Sequence, residues 1–292
     1  MFKGSLTALI TPFRDGKVDE KAFQALVEWQ IDQGTDGLIP VGTTGESPTL
    51  SHVEHERVVE LCIEAAAGRV PVIAGAGSNS TEECVRLTQH AKIAGADAAL
   101  IVTPYYNKPS QDGLYAHFKT AAEAVDLPII IYNIPPRSVV DMSVETMARL
   151  AKDFSGIVGM KDATADLTRP LAIREAIGGD FCMLSGEDAT VLSFMVNGGD
   201  GCISVTSNVA PGALSQMHDA WASGKHDDAM TINAQLFPLH QALFVEPNPV
   251  PVKYAASVLE KCNMDVRLPL TPANENTRKL VHQAMVSAGL LN

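Results

Sequence analysis

The sequence predicts an α/β protein, a (β/α)8 TIM barrel followed by a C-terminal helical extension. Three observations carry this. Eight short runs rich in β-branched and aliphatic residues alternate with amphipathic helical patterns over residues 1–224. Alternation of that length either closes as a barrel or lies open as a doubly wound sheet. An open dinucleotide-binding sheet would carry a glycine-rich turn after its first strand, whereas here that strand runs into Thr11-Pro12-Phe13. Residues 225–292 then hold three further helical patterns that eight β/α units do not need.

The expected strands occupy residues 6–10, 37–41, 70–74, 98–102, 129–132, 157–160, 181–184 and 201–205. The helices between and after them are expected over 20–32, 51–66, 81–94, 112–125, 143–152, 166–177, 188–196 and 211–222. Thr81 and Ser143 each precede acidic residues and serve as capping hydroxyls, and Asp112 and Asp188 are candidate caps. The extension is expected to form helices over 227–244, 251–261 and 274–288. Pro247 and Pro249 shape a turn between the first two.

Composition narrows the function classes. Apolar residues make up 46% of the chain, enough for a large core, and charged residues only 19%. The latter is below the roughly 25% of an average soluble domain, which fits a surface partly covered by other subunits. A formal charge of −12 argues against nucleic acid and anionic membranes as partners. The five cysteines are widely spaced without a CxxC pair, so reduced thiols are expected, not disulfides or zinc. With no signal-peptide pattern at MFKGSLTALITPF and no membrane-length apolar run, a cytoplasmic protein is expected.

The active site of such a barrel lies at the carboxyl ends of its strands. Strand six ends in Ile157-Val158-Gly159-Met160-Lys161. An ammonium beside an apolar interior is costly, and desolvation favours the neutral amine, a nucleophile toward carbonyls. Strand two is followed by Gly42-Thr43-Thr44-Gly45-Glu46, whose hydroxyls and backbone N–H groups suit a carboxylate. Strand four leads into Thr103-Pro104-Tyr105-Tyr106-Asn107, strand five into Tyr132-Asn133-Ile134-Pro135-Pro136-Arg137, and strand seven into Ser185-Gly186-Glu187-Asp188. Taken singly, each is an ordinary turn, core tyrosine or solvated lysine. Together, an amine, phenol hydroxyls, an anion-holding turn and a guanidinium make an imine-forming aldolase site that needs no metal.

These motifs, GTTGE, TPYYN, YNIPPR, GMKDAT and SGED, together resemble the dihydrodipicolinate synthase family over essentially the whole chain. The resemblance implies a covalent imine between Lys161 and pyruvate and no cofactor. Thr43 and Thr44 would hold the pyruvate carboxylate. Tyr132 would carry protons, with Thr44 and Tyr106 completing its relay, and Tyr106 would enter from a second subunit. Arg137 would bind the carboxylate of L-aspartate-4-semialdehyde, and Gly186 and Ile203 would supply backbone contacts. A dimer of dimers is the assembly implied.

The family also implies a cleft for L-lysine as inhibitor, at positions matching Ser47, Pro48, His52, His55, Asn79, Glu83 and Tyr105. His52 and His55 are three apart on one helix and share a face. Pro48 departs from the smaller residue of the family. Two other readings stand beside this one. One is another pyruvate aldolase, such as a sialic acid or sugar-acid lyase, against which Arg137 and the double threonine speak. The other is a non-catalytic barrel sensing a small keto or amino acid, which would not need a tuned amine.

Overall fold

The computed structural model describes residues 2–291. Eight strands form one parallel sheet: β1 (Gly4–Ala8), β2 (Gly37–Ile39), β3 (Ile73–Gly75), β4 (Ala98–Val102), β5 (Ile129–Asn133), β6 (Ile157–Asp162), β7 (Cys182–Ser185) and β8 (Gly201–Ser204). Their order is β2-β1-β8-β7-β6-β5-β4-β3, and a helix follows each strand. This is the (β/α)8 barrel topology that the alternation predicts. Three helices complete the chain, His226–Ala242, Val250–Val258 and Glu275–Ser287.

The chain divides into two compact units. The first holds Val72–Ile203 with Phe2 and Lys3. Its strands are covered on both sides, as parallel strands in such folds are: Ile129, Ile130 and Ile131 are all buried, so the run is continuous, not alternating. Helix Gln111–Ala124 buries Leu114, Phe118 and Ala121 at helical spacing and keeps its charges on the opposite face.

The second unit holds Gly4–Pro71 and residues 204–291. Its core buries Leu6, Leu9, Leu38 and Ile39, together with Phe23, Leu26 and Val27 of helix Glu20–Asp32. The extension adds Leu236, Leu239, Val252, Ala255, Val281 and Met285 to the same unit's interior.

Differences from the sequence expectation have local causes. β3 begins after Pro71 and β2 stops before Pro40, because proline offers no N–H to the ladder. β1 begins at Gly4, two residues early, and Ile10 leaves the ladder to donate to Asn208 Oδ1. Ser80, not Thr81, caps helix Thr81–Ala94. Ser110, not Asp112, caps helix Gln111–Ala124. Asp188 opens a 3-10 turn, and helix Val191–Val196 starts without a side-chain cap. The helix expected from residue 166 starts at Arg169, because Asp166 accepts from both the backbone and hydroxyl of Thr168 and holds a competing turn.

A hairpin went unread in the sequence. Phe13–Arg14 pairs antiparallel with Lys17–Val18 across Asp15 and Gly16, both at positive φ (53° and 76°). Asp-Gly is the signature of that turn.

Packing between β6 and β7 is tight at one residue. A Cβ on Gly159 would lie 2.5 Å from the Cys182 carbonyl oxygen. Gly159→Ala must push two paired strands apart, and we expect a loss of at least about 2 kcal/mol in urea unfolding. Wild-type stability of this variant would refute the packing argument.

Candidate active site

Lys161 and Tyr132 are brought together by strand register. β5 and β6 start paired at Ile129 and Ile157, but Ile130 pairs with Gly159, so Val158 is passed over. From there Tyr132 stands opposite Lys161. Without that irregularity Tyr132 would face Met160, because a one-residue slip turns every following side chain to the other face. Lys161 Nζ lies 4.4 Å from the centroid of the Tyr132 ring. Both residues are 6% exposed.

The next strand leaves the lysine room. Leu184 of β7 pairs with Lys161, and Gly186 follows the strand end. A Cβ on Gly186 would sit 3.1 Å from Lys161 Cε and 2.8 Å from Ala163 Cβ, so only glycine fits beside the lysine stem. Glu187 is half-buried, and burial together with Asp188 pushes its carboxyl above the usual range while Lys161 pulls it back. Cys202 is fully buried, and burial raises its thiol far above the ordinary value, so it is no nucleophile. Ile203 lies buried on β8.

On the opposite side of the same strand pair a polar network fixes the segment that carries Arg137. Asn133 and Asp162 are the residues after Tyr132 and Lys161, so they point away from them. Asn133 donates to Asp141 Oδ1 at 2.7 Å and accepts from the Met142 N–H at 3.0 Å. Arg169 donates to Asp162 Oδ2 at 3.1 Å, to Asp141 Oδ1 at 3.2 Å and to the Met142 carbonyl at 2.8 Å. Burial raises the Asp162 carboxyl, against the hydrogen bonds from Thr164 and Arg169 that favour its charge. Arg137 itself is exposed on the short helix Pro135–Ser138. Arg169 and Asp141 belong to no motif of the sequence; the alternation of faces after Lys161 is the signal that turns Asp162 toward them.

The turn after β2 belongs to the second unit. Val41 and Glu46 take left-handed backbone angles (φ 51° and 56°). A Cβ on Gly45 would lie 3.0 Å from the Val41 backbone, and the Gly45 carbonyl accepts from Thr11 Oγ1 at 2.7 Å. The N–H groups of Gly45, Glu46 and Ser47 close the turn on the carbonyls of Gly42 and Thr43. These three N–H groups therefore serve the turn itself. Thr43 is half-buried and Thr44 buried.

The C-terminal segment fastens this turn at two points. Asn248 Nδ2 donates to Thr44 Oγ1 at 3.0 Å. Lys253 pairs with Glu46 Oε1 at 2.5 Å, and the two side chains are 0% and 2% exposed. Lys253 also donates to the Asp265 carbonyl at 2.7 Å and lies 3.9 Å from the Phe13 ring centroid. Burial lowers its pKa, and Glu46 opposes that shift. The backbone N–H of Arg267 donates to Glu46 Oε2 at 2.9 Å, while its guanidinium grips both oxygens of Glu54 at 2.8 and 2.6 Å and covers the other cation–π position on Phe13 at 4.3 Å. None of these partners was legible in the sequence.

Tyr106 is 89% exposed and at φ 72°, in a turn braced by Asn79. Asn79 Nδ2 donates to the Tyr105 carbonyl at 3.1 Å, and Asn107 Nδ2 donates to the Asn79 carbonyl at 2.8 Å. Ser78 donates to Glu83 Oε2. In the second unit, Ser47 and Pro48 form the 3-10 turn Ser47–Thr49. On helix His52–Ala66, His52 is exposed and His55 is buried. Among the described residues no group of three His, Cys, Asp or Glu side chains could hold a metal ion. No helix of the described residues is long and apolar enough to cross a membrane.

The chain matches the Dihydrodipicolinate synthetase family over residues 1–288. It belongs to that family. A relative, 4-hydroxy-tetrahydrodipicolinate synthase of Rhodospirillum centenum, is 65% identical over 291 residues, covering 100% of both chains. Two solved structures of the family are close in shape. The dihydrodipicolinate synthase of Acinetobacter baumannii, chloride inhibited and complexed with pyruvate, has a TM-score of 0.97 at 47% identity and full coverage of both chains. That of Cyanidioschyzon merolae with lysine bound has a TM-score of 0.96 at 39% identity over 99% of each chain.

The Arg267 grip makes one pH prediction for this family member. The Arg267 hydrogen bonds hold the Glu54 carboxyl down at about 2, from an ordinary 4.5. A depressed carboxylate contributes stability above its unfolded value, and that contribution fades as pH falls from about 4.5 toward 2. Discounted for partial exposure, we expect about 1–2 kcal/mol from this pair at neutral pH. Urea unfolding of Glu54→Gln should show a correspondingly flatter acid limb than wild type; parallel limbs would remove the assignment.

Proposed function

We propose that this protein is a 4-hydroxy-tetrahydrodipicolinate synthase that condenses pyruvate with L-aspartate-4-semialdehyde through an imine on Lys161. The observation that carries this is the buried Lys161 amine set over the Tyr132 ring in register across β5 and β6. Full-length relatives bearing that name support it. On this reading the catalytic machinery lies in residues 1–224 and residues 225–292 are a supporting extension.

The neutral amine of Lys161 adds to the ketone carbon of pyruvate, whose oxygen takes two protons and leaves as water. The protonated imine is an electron sink. It acidifies the adjacent methyl, which loses a proton to give an enamine. The enamine carbon bonds to the aldehyde carbon of the second substrate, and the aldehyde oxygen is protonated. The α-amine of that substrate then attacks the imine carbon, the ring closes, and Lys161 is released with its proton balance restored. Tyr132 carries protons to and from the reacting atoms, with Thr44 and Tyr106 as its relay. The Thr43–Thr44 segment takes the pyruvate carboxylate, Gly186 leaves space for the imine, and Ile203 contributes its backbone.

Arg137 takes the carboxylate of the semialdehyde, for which its planar fork is suited. The exposure of Tyr106, in a braced left-handed turn, supports its entry into the site of a second subunit, and we assign a dimer of dimers. The free cysteines fit a cytoplasmic setting. L-lysine is proposed as an inhibitor bound by Ser47, Pro48, His52, His55, Asn79, Glu83 and Tyr105. Asn79 touches the turn before Tyr106 directly, which supplies a route for coupling.

The test is a coupled assay with both substrates and a downstream reductase. Turnover should need both, and Lys161→Ala should lose about 10³-fold or more together with the borohydride-trapped pyruvate adduct. Trapping without turnover would redirect the search to other aldehydes; neither would end the proposal. Arg137→Ala should raise KM for the semialdehyde by roughly 10- to 100-fold and leave pyruvate trapping intact. Equal loss in both would place Arg137 elsewhere. Millimolar L-lysine should inhibit wild type but not Glu83→Ala or His55→Ala, and equal inhibition of all three would exclude the cleft.

A further inference from the structure

We infer that Asn248 is a positioning residue for the reaction, acting through the hydroxyl of Thr44. The inference rests on the relay role proposed for Thr44. Thr44 Oγ1 is buried, and Asn248, also buried, donates to it from Nδ2 at 3.0 Å. A hydroxyl has one hydrogen to give and two lone pairs to receive. An amide N–H that fills one lone pair leaves the hydroxyl hydrogen to point at a different acceptor. Asn248 therefore fixes the direction in which Thr44 can pass a proton, as well as where its oxygen sits. A freely rotating hydroxyl could also turn its hydrogen toward residue 248, and the Asn248 N–H excludes that orientation.

Asn248 is itself held. Five residues on, Lys253 is anchored to Glu46 of the same turn, and Arg267 N–H secures the second oxygen of Glu46. Thr44 and Glu46 are thus gripped from residues 248 and 253 of one short segment. The grip at Glu46 sets the backbone of the turn, whereas the contact at Thr44 reaches a side chain that the turn itself does not need for closure, since Gly42 and Thr43 carbonyls close it. A contact spent on that hydroxyl points to chemistry more than to folding.

The experiment is a double-mutant cycle between Asn248 and Thr44, read in kcat and in KM for pyruvate with the full-length protein. Thr44→Val should lower kcat by about 100-fold, the lower range for a lost proton-transfer group. Asn248→Ala should lower kcat about 10-fold, with KM for pyruvate within about twofold of wild type. Asn248→Asp keeps the size but can only accept. It turns the Thr44 hydrogen toward itself and should lose more than the alanine variant, about 100-fold. In the Thr44→Val background Asn248→Ala should cost nothing further, while in Thr44→Ser, which keeps a hydroxyl, it should again cost about 10-fold.

A merely structural role would instead lower the melting temperature and reduce kcat equally in all three backgrounds, and that result overturns the inference. So does wild-type kcat in Asn248→Ala when Thr44→Val is impaired. Wild-type kcat in Thr44→Val would remove the relay role of Thr44 itself. Should the aspartate variant fail to fold, the Ala cycle across Thr44→Val and Thr44→Ser decides the matter alone.

Discussion

Lys161 and Tyr132 face each other because the pairing of β5 with β6 passes over Val158. Every side chain downstream of that point depends on it. Tyr132 and Lys161 fall on one face, and Asn133 and Asp162 fall on the other. The same one-residue irregularity therefore builds two things at once: a nucleophile beside a phenol, and a polar network in which Arg169 ties Asp162 to Asp141 and to the Met142 carbonyl. That network lies at the root of the segment bearing Arg137. The position of the Arg137 guanidinium is thus linked, through one strand pair, to the position of the Lys161 amine.

The second unit solves a different problem. Its glycine-threonine turn holds two residues at left-handed backbone angles, Val41 and Glu46, a conformation that non-glycine residues keep only under external constraint. The constraint is the Lys253–Glu46 pair under Phe13. Removing one partner from such a buried pair typically costs about 3–5 kcal/mol, because the remaining charge is stranded. Two cations share the single ring of Phe13, Lys253 at 3.9 Å and Arg267 at 4.3 Å. Glu46 and Glu54 neutralise them, so the cluster is balanced as well as buried.

All eight strands were legible in the sequence because a parallel sheet covered on both sides leaves continuous apolar runs such as Ile129-Ile130-Ile131. Strand ends were less legible where a proline or a side-chain acceptor redirected the backbone, as at Pro71 and at Asn208. Where two hydroxyls stood side by side the helix was placed as it is, over 81–94, but the cap shifted by one residue, from Thr81 to Ser80. The candidate amine, tyrosine and turn could be found because strand ends concentrate chemistry in this topology. Their supports could not. Asn248 and Lys253 act on residues 204 and 207 positions away, and a single sequence carries no sign of which distant segment meets which. The Asp15-Gly16 hairpin is the exception: its signal was local and plain.

Glu46 receives a hydrogen bond from Arg267, 221 residues further along the chain. During synthesis at about 5–20 residues per second, residues 42–47 leave the ribosome well before Lys253 and Arg267 exist. For ten seconds or more, on that rate, the nascent turn has Val41 and Glu46 without the charges that hold them. A polypeptide released early, with most of its strands present, would still lack a set turn at β2. Late synthesis thus acts as a checkpoint: the turn after β2 becomes fixed only once Lys253 and Arg267 have been translated.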